Sequence, residues 1–146
     1  MNHFFFWQRW LFAVAVLIVI FGLLLAFFGQ TPMFDLLFNH QINPAFWDSP
    51  NVSGDNKIFQ GWIYGVLGAT VAGWGMFLVF LVHYPFKDRE RWAWNCITYG
   101  LLVWFMTDTA ISLWFRVYFN VLFNLTLFIA GILPILFTRK TFWIVK

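Results

Sequence analysis

The chain has 146 residues, 62% of them hydrophobic and 10% charged, with a net charge of +3. A soluble domain is nearer half apolar and a quarter charged, so this composition excludes a water-soluble globule and fits a single membrane domain. The basic residues sit in short clusters at the ends of apolar runs, which excludes a nucleic-acid surface, and the one cysteine, Cys96, excludes an internal disulfide and paired-thiol redox chemistry.

Residues 1–10 are aromatic, with Arg9 the only charge. Residues 10–28 then form the first span, long enough to cross a bilayer. No A-x-A-like site follows, so this span reads as a retained anchor rather than a cleaved leader. The segment 29–57 is more polar and carries Asp35, Asp48, Asp55 and Lys57. Thr31-Pro32 and Asn43-Pro44 each read as an N-cap followed by proline at the first helical position. They predict short interfacial helices over 32–39 and 44–47, with Phe34, Leu37, Phe38, Phe46 and Trp47 on the membrane surface or capping a bundle.

The second span covers 58–83, and a tight charged turn follows at 84–91. The third span, 92–115, opens on Trp92 and Trp94, which suit a membrane interface. The fourth covers 119–137, and the tail after it is basic. Arg9, Lys87, Arg89, Arg91, Arg139, Lys140 and Lys146 lie at one end of the spans, against Lys57 and Arg116 at the other. That bias predicts cytoplasmic N- and C-termini, with the loop 29–57 outside or in the periplasm. The expected fold is an all-α integral membrane protein: four transmembrane helices in a left-handed antiparallel bundle, with short interfacial helices in the outer loop.

Small residues recur on one stripe of the second span. Gly61, Gly65, Gly68, Ala72 and Gly75 are spaced 4, 3, 4 and 3. In a membrane such a stripe lets another helix approach closely. The same register gives Ala15, Val19, Gly22, Ala26 and Gly29 in the first span. In the third it gives Ile97, Leu101, Trp104, Asp108, Ile111 and Phe115, and in the fourth Asn120, Asn124, Leu127, Gly131, Pro134 and Thr138. A period near 3.5 belongs to left-handed bundles. The expectation is that the glycine stripe packs inward against the first span, and that small faces meet large ones.

Asp108 lies inside a span, where a carboxyl costs a few kcal/mol and needs partners. Counting depth from the turn near residue 117 sets Asn124 and Thr126 level with it on the next helix. Trp104 and Ser112 are one turn away on its own helix. Arg116 is roughly 12 Å along the axis, at the mouth. These residues predict a polar cluster of Trp104, Asp108, Ser112 and Asn124, with Asn120 and Arg116 nearby. It serves either as a ligand, proton or cation site or as a structural lock between the third and fourth helices. No second acid lies at that depth, which favours the lock and leaves an acid–base enzyme without its partner.

Histidines on facing helices would signal haem, but His3, His40 and His83 lie at span ends or in the loop, so a bis-histidine haem is rejected. No zinc, phosphate-binding or nucleophile-elbow pattern occurs in the sequence, and no cofactor is predicted, although an apolar ligand or pigment fits the composition. Lys87, Arg89 and Arg91 suit a lipid head group or a partner's acidic surface, against the plainer reading of a solvated turn. The four-span layout is similar to several small membrane families, among them the DoxX-like and EXPERA-type proteins, with no motif that carries over residue by residue. The reading favoured by the residues is a non-catalytic accessory or scaffold subunit of a membrane complex, or a homo-oligomer. Second is a binder or carrier of a small apolar ligand (lipid, quinone or pigment) in a cavity near Asp108 and Trp104. Third is a membrane enzyme of isomerase or reductase type. The partners implied are the bilayer and other membrane subunits or a second copy.

Overall fold

A computed structural model describes residues 2–143, so Lys146, one of the topological charges, lies outside the described residues. Four long helices carry the structure: α1 (Asn2–Phe28), α5 (Asp55–Leu81), α6 (Arg91–Trp114) and α7 (Tyr118–Trp143). They contain 27, 27, 24 and 26 residues. At about 1.5 Å per residue each exceeds the roughly 30 Å of a bilayer's hydrocarbon core. All four are long and apolar enough to cross a membrane. Between α1 and α5 lie three one-turn helices, α2 (Pro32–Phe34), α3 (His40–Ile42) and α4 (Pro44–Trp47), with a π-helical turn at Asp35–Asn39.

Local chemistry sets the boundaries. The first helix gives way to a turn at Gly29 and Gln30 ahead of Pro32. The start of α5 is fixed by Gly54, whose φ of 62° and ψ of −143° suit only glycine. Pro85 lacks an N–H, and α5 ends in a π-helical turn over Val82–Phe86. The ends of the α5–α6 and α6–α7 turns are made by Arg89 and Arg116, both left-handed, at φ 62° and 59°. Thr31 and Asn43 do precede the helical prolines, but neither caps with its side chain. The Thr31 hydroxyl instead donates to the Phe28 carbonyl at 2.7 Å, and Asn43 is itself helical, so its amide is released for long-range bonds.

The tightest interface joins α1 to α5. Gly22 and Ala26 face Gly68 and Ala72, and Val19 faces Gly75. A methyl group added at Gly22 would sit 2.7 Å from the Gly68 carbonyl, and one at Gly68 would sit 2.5 Å from the Gly22 carbonyl. The two backbones therefore touch, and small residues meet small residues rather than large ones. Gly61 instead meets the side chain of Gln30, and a methyl at Gly65 would meet only the Ala26 carbonyl, at 4.0 Å.

The α6–α7 interface is built differently. Gly131 receives the Leu101 side chain, and the Phe105 and Phe128 rings stack at 4.1 Å. Trp7 stacks on Phe137 at 4.7 Å where α1 meets α7. In all three interfaces the paired residues advance in opposite directions along the two helices, as Phe4 with Phe142 and Phe21 with Phe123 show. The spatial order is α5, α1, α7, α6, and α5 meets α6 only sparsely. The buried core gathers at one end, around Phe4, Leu11, Val82, Phe86, Ala93, Ile97, Ile135 and Phe142.

On α6 the inward face drifts from the expected register. Ile97 is buried, but Ile111 and Phe115 are 54% and 51% exposed, and Ser112 is buried in their place. A straight helix of 3.6 residues per turn departs from a strict heptad by about 20° per repeat. With α7 its main neighbour, α6 has little to hold it in the heptad register.

Interruptions in the helices are met by side chains of neighbours. Pro134 cannot donate to the carbonyl four residues before it, that of Ala130. The Trp10 indole N–H donates to that carbonyl at 3.0 Å from α1. Gln8 donates to the Val82 carbonyl at the π-helical turn, and the Trp94 indole to the Ile135 carbonyl at 3.0 Å.

The same substitution is expected to act in opposite directions at different glycines. Gly22→Ala or Gly68→Ala forces the α1 and α5 backbones apart and costs about 1–3 kcal/mol. A methyl at Gly73 or Gly100 meets nothing within 4 Å. Gly73→Ala and Gly100→Ala are therefore neutral, or stabilising by up to about 1 kcal/mol through helix propensity. Unfolding in mixed micelles measures all four.

Candidate functional site

The polar group with the most partners inside the spans is Asp108. Two pairs of polar residues, Asp108 with Ser112 and Asn120 with Asn124, are each spaced by four, so each pair shares one helix face. The short turn at 115–117 folds α7 back along α6 and brings the two faces together. Oδ1 of Asp108 accepts from Asn120 Nδ2 and Asn124 Nδ2, both at 2.8 Å, and from the Ser112 hydroxyl at 3.1 Å. Asn120 Nδ2 also lies 2.8 Å from the Ser112 hydroxyl oxygen. Asn124 is 2% exposed and Ser112 6%, while Asp108 is half-buried.

Three donors on one oxygen fix the carboxyl rotamer and tie α6 to α7. None of the described side chains donates to Oδ2. Beside the cluster, the Thr109 hydroxyl is buried without a partner. The arrangement can hold two helices together and can offer one carboxyl oxygen to a further donor.

The other residues singled out by sequence fall elsewhere. The Trp104 indole is not among the donors to Asp108, and its ring lies 6.5 Å from that of Phe105. Arg116 is exposed in the left-handed turn and takes no part in the cluster. Arg89 lies over the Phe4 ring at 5.1 Å. Arg91 Nε donates to the Phe142 carbonyl at 2.9 Å, and its guanidinium carbon lies 6.0 Å from the Trp143 ring centre. The Lys87 backbone N–H donates to the Tyr84 carbonyl, and its ammonium bonds none of the described residues. His3 accepts from the Trp7 indole at 3.1 Å, and His83 packs beside Tyr84 and Phe12. No group of three or more His, Cys, Asp or Glu among the described residues is placed to hold a metal ion.

A second polar network, which the sequence does not single out, fastens the loop between α1 and α5 to α5. The Tyr64 hydroxyl donates to Asn39 Oδ1 at 2.7 Å, and Gln60 Nε2 donates to Asn43 Oδ1 at 2.7 Å. Asn39 donates to Asp35 Oδ1 at 2.6 Å and to the Gly29 carbonyl at 3.2 Å. Asn43 donates to the Pro50 carbonyl at 2.9 Å. Asn39 with Asn43, and Gln60 with Tyr64, are both four apart, and that matched spacing is the one signal the sequence holds for it. The loop aromatics divide accordingly. Phe34 is 3% exposed, and Phe38 meets Phe21, Phe119 and Phe123 at 5.7–5.9 Å, whereas Leu37 and Phe46 stay exposed.

Two surface cavities lie away from Asp108 and Trp104. One of about 300 Å³ sits between α1 and α5, against Gly29, Gln30, Gly61 and Tyr64. The other, about 510 Å³ and open on one side, is lined by Phe77, Phe80, Leu81, Tyr84, Pro85 and Trp92. No family model, curated protein or solved structure matches the chain.

Asn124→Ala removes one donor from Asp108 and is expected to cost about 1–2 kcal/mol, the upper part of the range for hydrogen bonds between membrane helices. A double-mutant cycle with Asp108→Ala should return a coupling of at least about 0.5 kcal/mol. A cycle of Asp108→Ala with Arg116→Ala should return none. For the second network, Tyr64→Phe is expected to speed amide exchange at 35–43 while leaving α6 and α7 unchanged. Hydrogen-exchange mass spectrometry reads both.

Proposed function

We propose that this chain is a non-catalytic integral membrane protein that serves as an accessory or scaffold subunit, docking a partner helix along α6. In this reading the four helices are a left-handed antiparallel bundle in the bilayer. Both termini are cytoplasmic, and the loop 29–57 lies outside or in the periplasm, as the bias of lysine and arginine requires. The observation that carries the reading is the place of α6 at the end of the row. It packs along α7 and meets α5 only sparsely. Tyr99, Val103, Met106 and Trp114 are left 65–83% exposed along it. The glycine stripe does not supply this docking surface, because α1 already covers its tightest part. A second copy of the chain is the alternative occupant of the same side of α6.

A second reading, binding of a small apolar ligand with a polar end, rests on one observation. Three donors converge on Oδ1 of Asp108 and leave Oδ2 for a donor from outside the chain.

Native mass spectrometry of protein gently released from its own membrane separates the two. The subunit reading expects an assembly of fixed mass and whole-number stoichiometry. A photo-crosslinking residue in place of Met106, which is 65% exposed, should then give one discrete protein adduct, and the same probe at Leu17, 62% exposed on α1, should give none. A monomer carrying no protein adduct at 106 ends that reading. A small molecule that stays bound and is lost on Asp108→Asn supports the ligand reading instead.

A further inference from the structure

The groove at Phe77, Phe80, Leu81, Tyr84, Pro85 and Trp92 has a feature the docking surface on α6 lacks: the chain between its lining residues Pro85 and Trp92 is a charged turn with a net positive balance, Lys87-Asp88-Arg89-Glu90-Arg91. We infer that it is a binding site for one anionic phospholipid, with an acyl chain in the groove and the head group at Lys87 and Arg91.

The floor consists of side chains from the end of α5 and the start of α6, where the π-helical turn at Pro85 separates the two helices. Phe77 is 71% exposed and Phe80 54%, so an apolar chain laid along them covers surface that the protein itself leaves bare. Tyr84 and Trp92 are each 56% exposed at the mouth. Both are rings with an apolar body and a polar tip, suited to the depth where chain gives way to head group.

Charge selects the head group. Lys87 lies two residues beyond Pro85, and Arg91 immediately precedes Trp92. Lys87 is exposed, and its ammonium bonds none of the described residues. Arg91 spends its Nε on the Phe142 carbonyl and is held near Trp143, so its guanidinium is positioned while its remaining N–H groups stay available. The exposed turn carries three cations, Lys87, Arg89 and Arg91, against two acids, Asp88 and Glu90, and basic segments at the ends of membrane helices take anionic lipids.

The test uses the full chain reconstituted in phosphatidylcholine vesicles. A small fixed fraction of the lipid is phosphatidylglycerol with brominated chains or, in the control, phosphatidylcholine with the same chains. Bromine quenches nearby indole fluorescence. The site predicts more quenching by the brominated phosphatidylglycerol than by the control lipid. That excess should disappear in Trp92→Phe and shrink in Lys87→Gln, both at exposed positions. Equal quenching by the two lipids overturns the inference, as does an excess that survives Trp92→Phe. If Trp92 contributes no quenching with either lipid, something other than lipid occupies the groove, which also overturns it. Trp92 lies on the same face of α6 as Tyr99, Val103 and Met106, so in that last case the crosslink from position 106 tells whether a partner helix is the occupant.

Discussion

Two helix backbones in direct contact set the geometry of this molecule. In a bilayer the lipid is as apolar as leucine, so helices gain little from burying apolar side chains against each other. Gly22, Ala26, Gly68, Ala72 and Gly75 answer that by removing side chains from the α1–α5 interface, so that backbone atoms themselves supply the contact. The approach is close enough that one added methyl would collide with a carbonyl. Everything attached to these helices inherits their fixed spacing. Gln30 reaches the Lys57 carbonyl where the end of α1 meets the start of α5, and Gln8 reaches the Val82 carbonyl near the other end.

The loop between α1 and α5 depends on that spacing. Its π-helical turn presents Asn39 to Gly29 on one side and to Tyr64 on the other, and these residues belong to the two ends that the glycine contact holds together. On the far side the Phe38 ring leans on Phe119 and Phe123 of α7. The loop thus links the α1–α5 pair to α7 by polar contacts on one side and aromatic ones on the other. The α6–α7 pair is held by bulk and by a carboxyl, and it permits the drift in register seen at Ser112.

Much of this is legible in the amino-acid sequence. Length and hydropathy mark four long apolar helices because a bilayer demands them. The i,i+4 spacing of Asp108 with Ser112 and of Asn120 with Asn124, folded about a short turn, is enough to bring those side chains together. What the sequence conceals is of three kinds. Trp104 sits one helical turn from Asp108, as Ser112 does, yet on the heptad register the two differ by the drift that moves the inward face. The loop network joins residues some twenty apart, and it needs a π-helical turn that no local propensity announces. For Phe34 and Phe38 the sequence leaves open whether they lie on the membrane surface or cap the bundle, because a short amphipathic segment has the same pattern in both places.

The carbonyl of Ala130 has a consequence of a different sort. It is orphaned by Pro134, in its own helix, and satisfied by Trp10, more than a hundred positions away. Neither residue is explained by its own surroundings. A lineage that lost Trp10 would leave that carbonyl without its donor until Pro134 was also lost. A lineage that lost Pro134 first would find Trp10 free to drift. The order of the two changes therefore matters, and the pair should come and go together in descendants of this sequence. An indole that composition alone would class as an interface anchor is the stored complement of a distant proline.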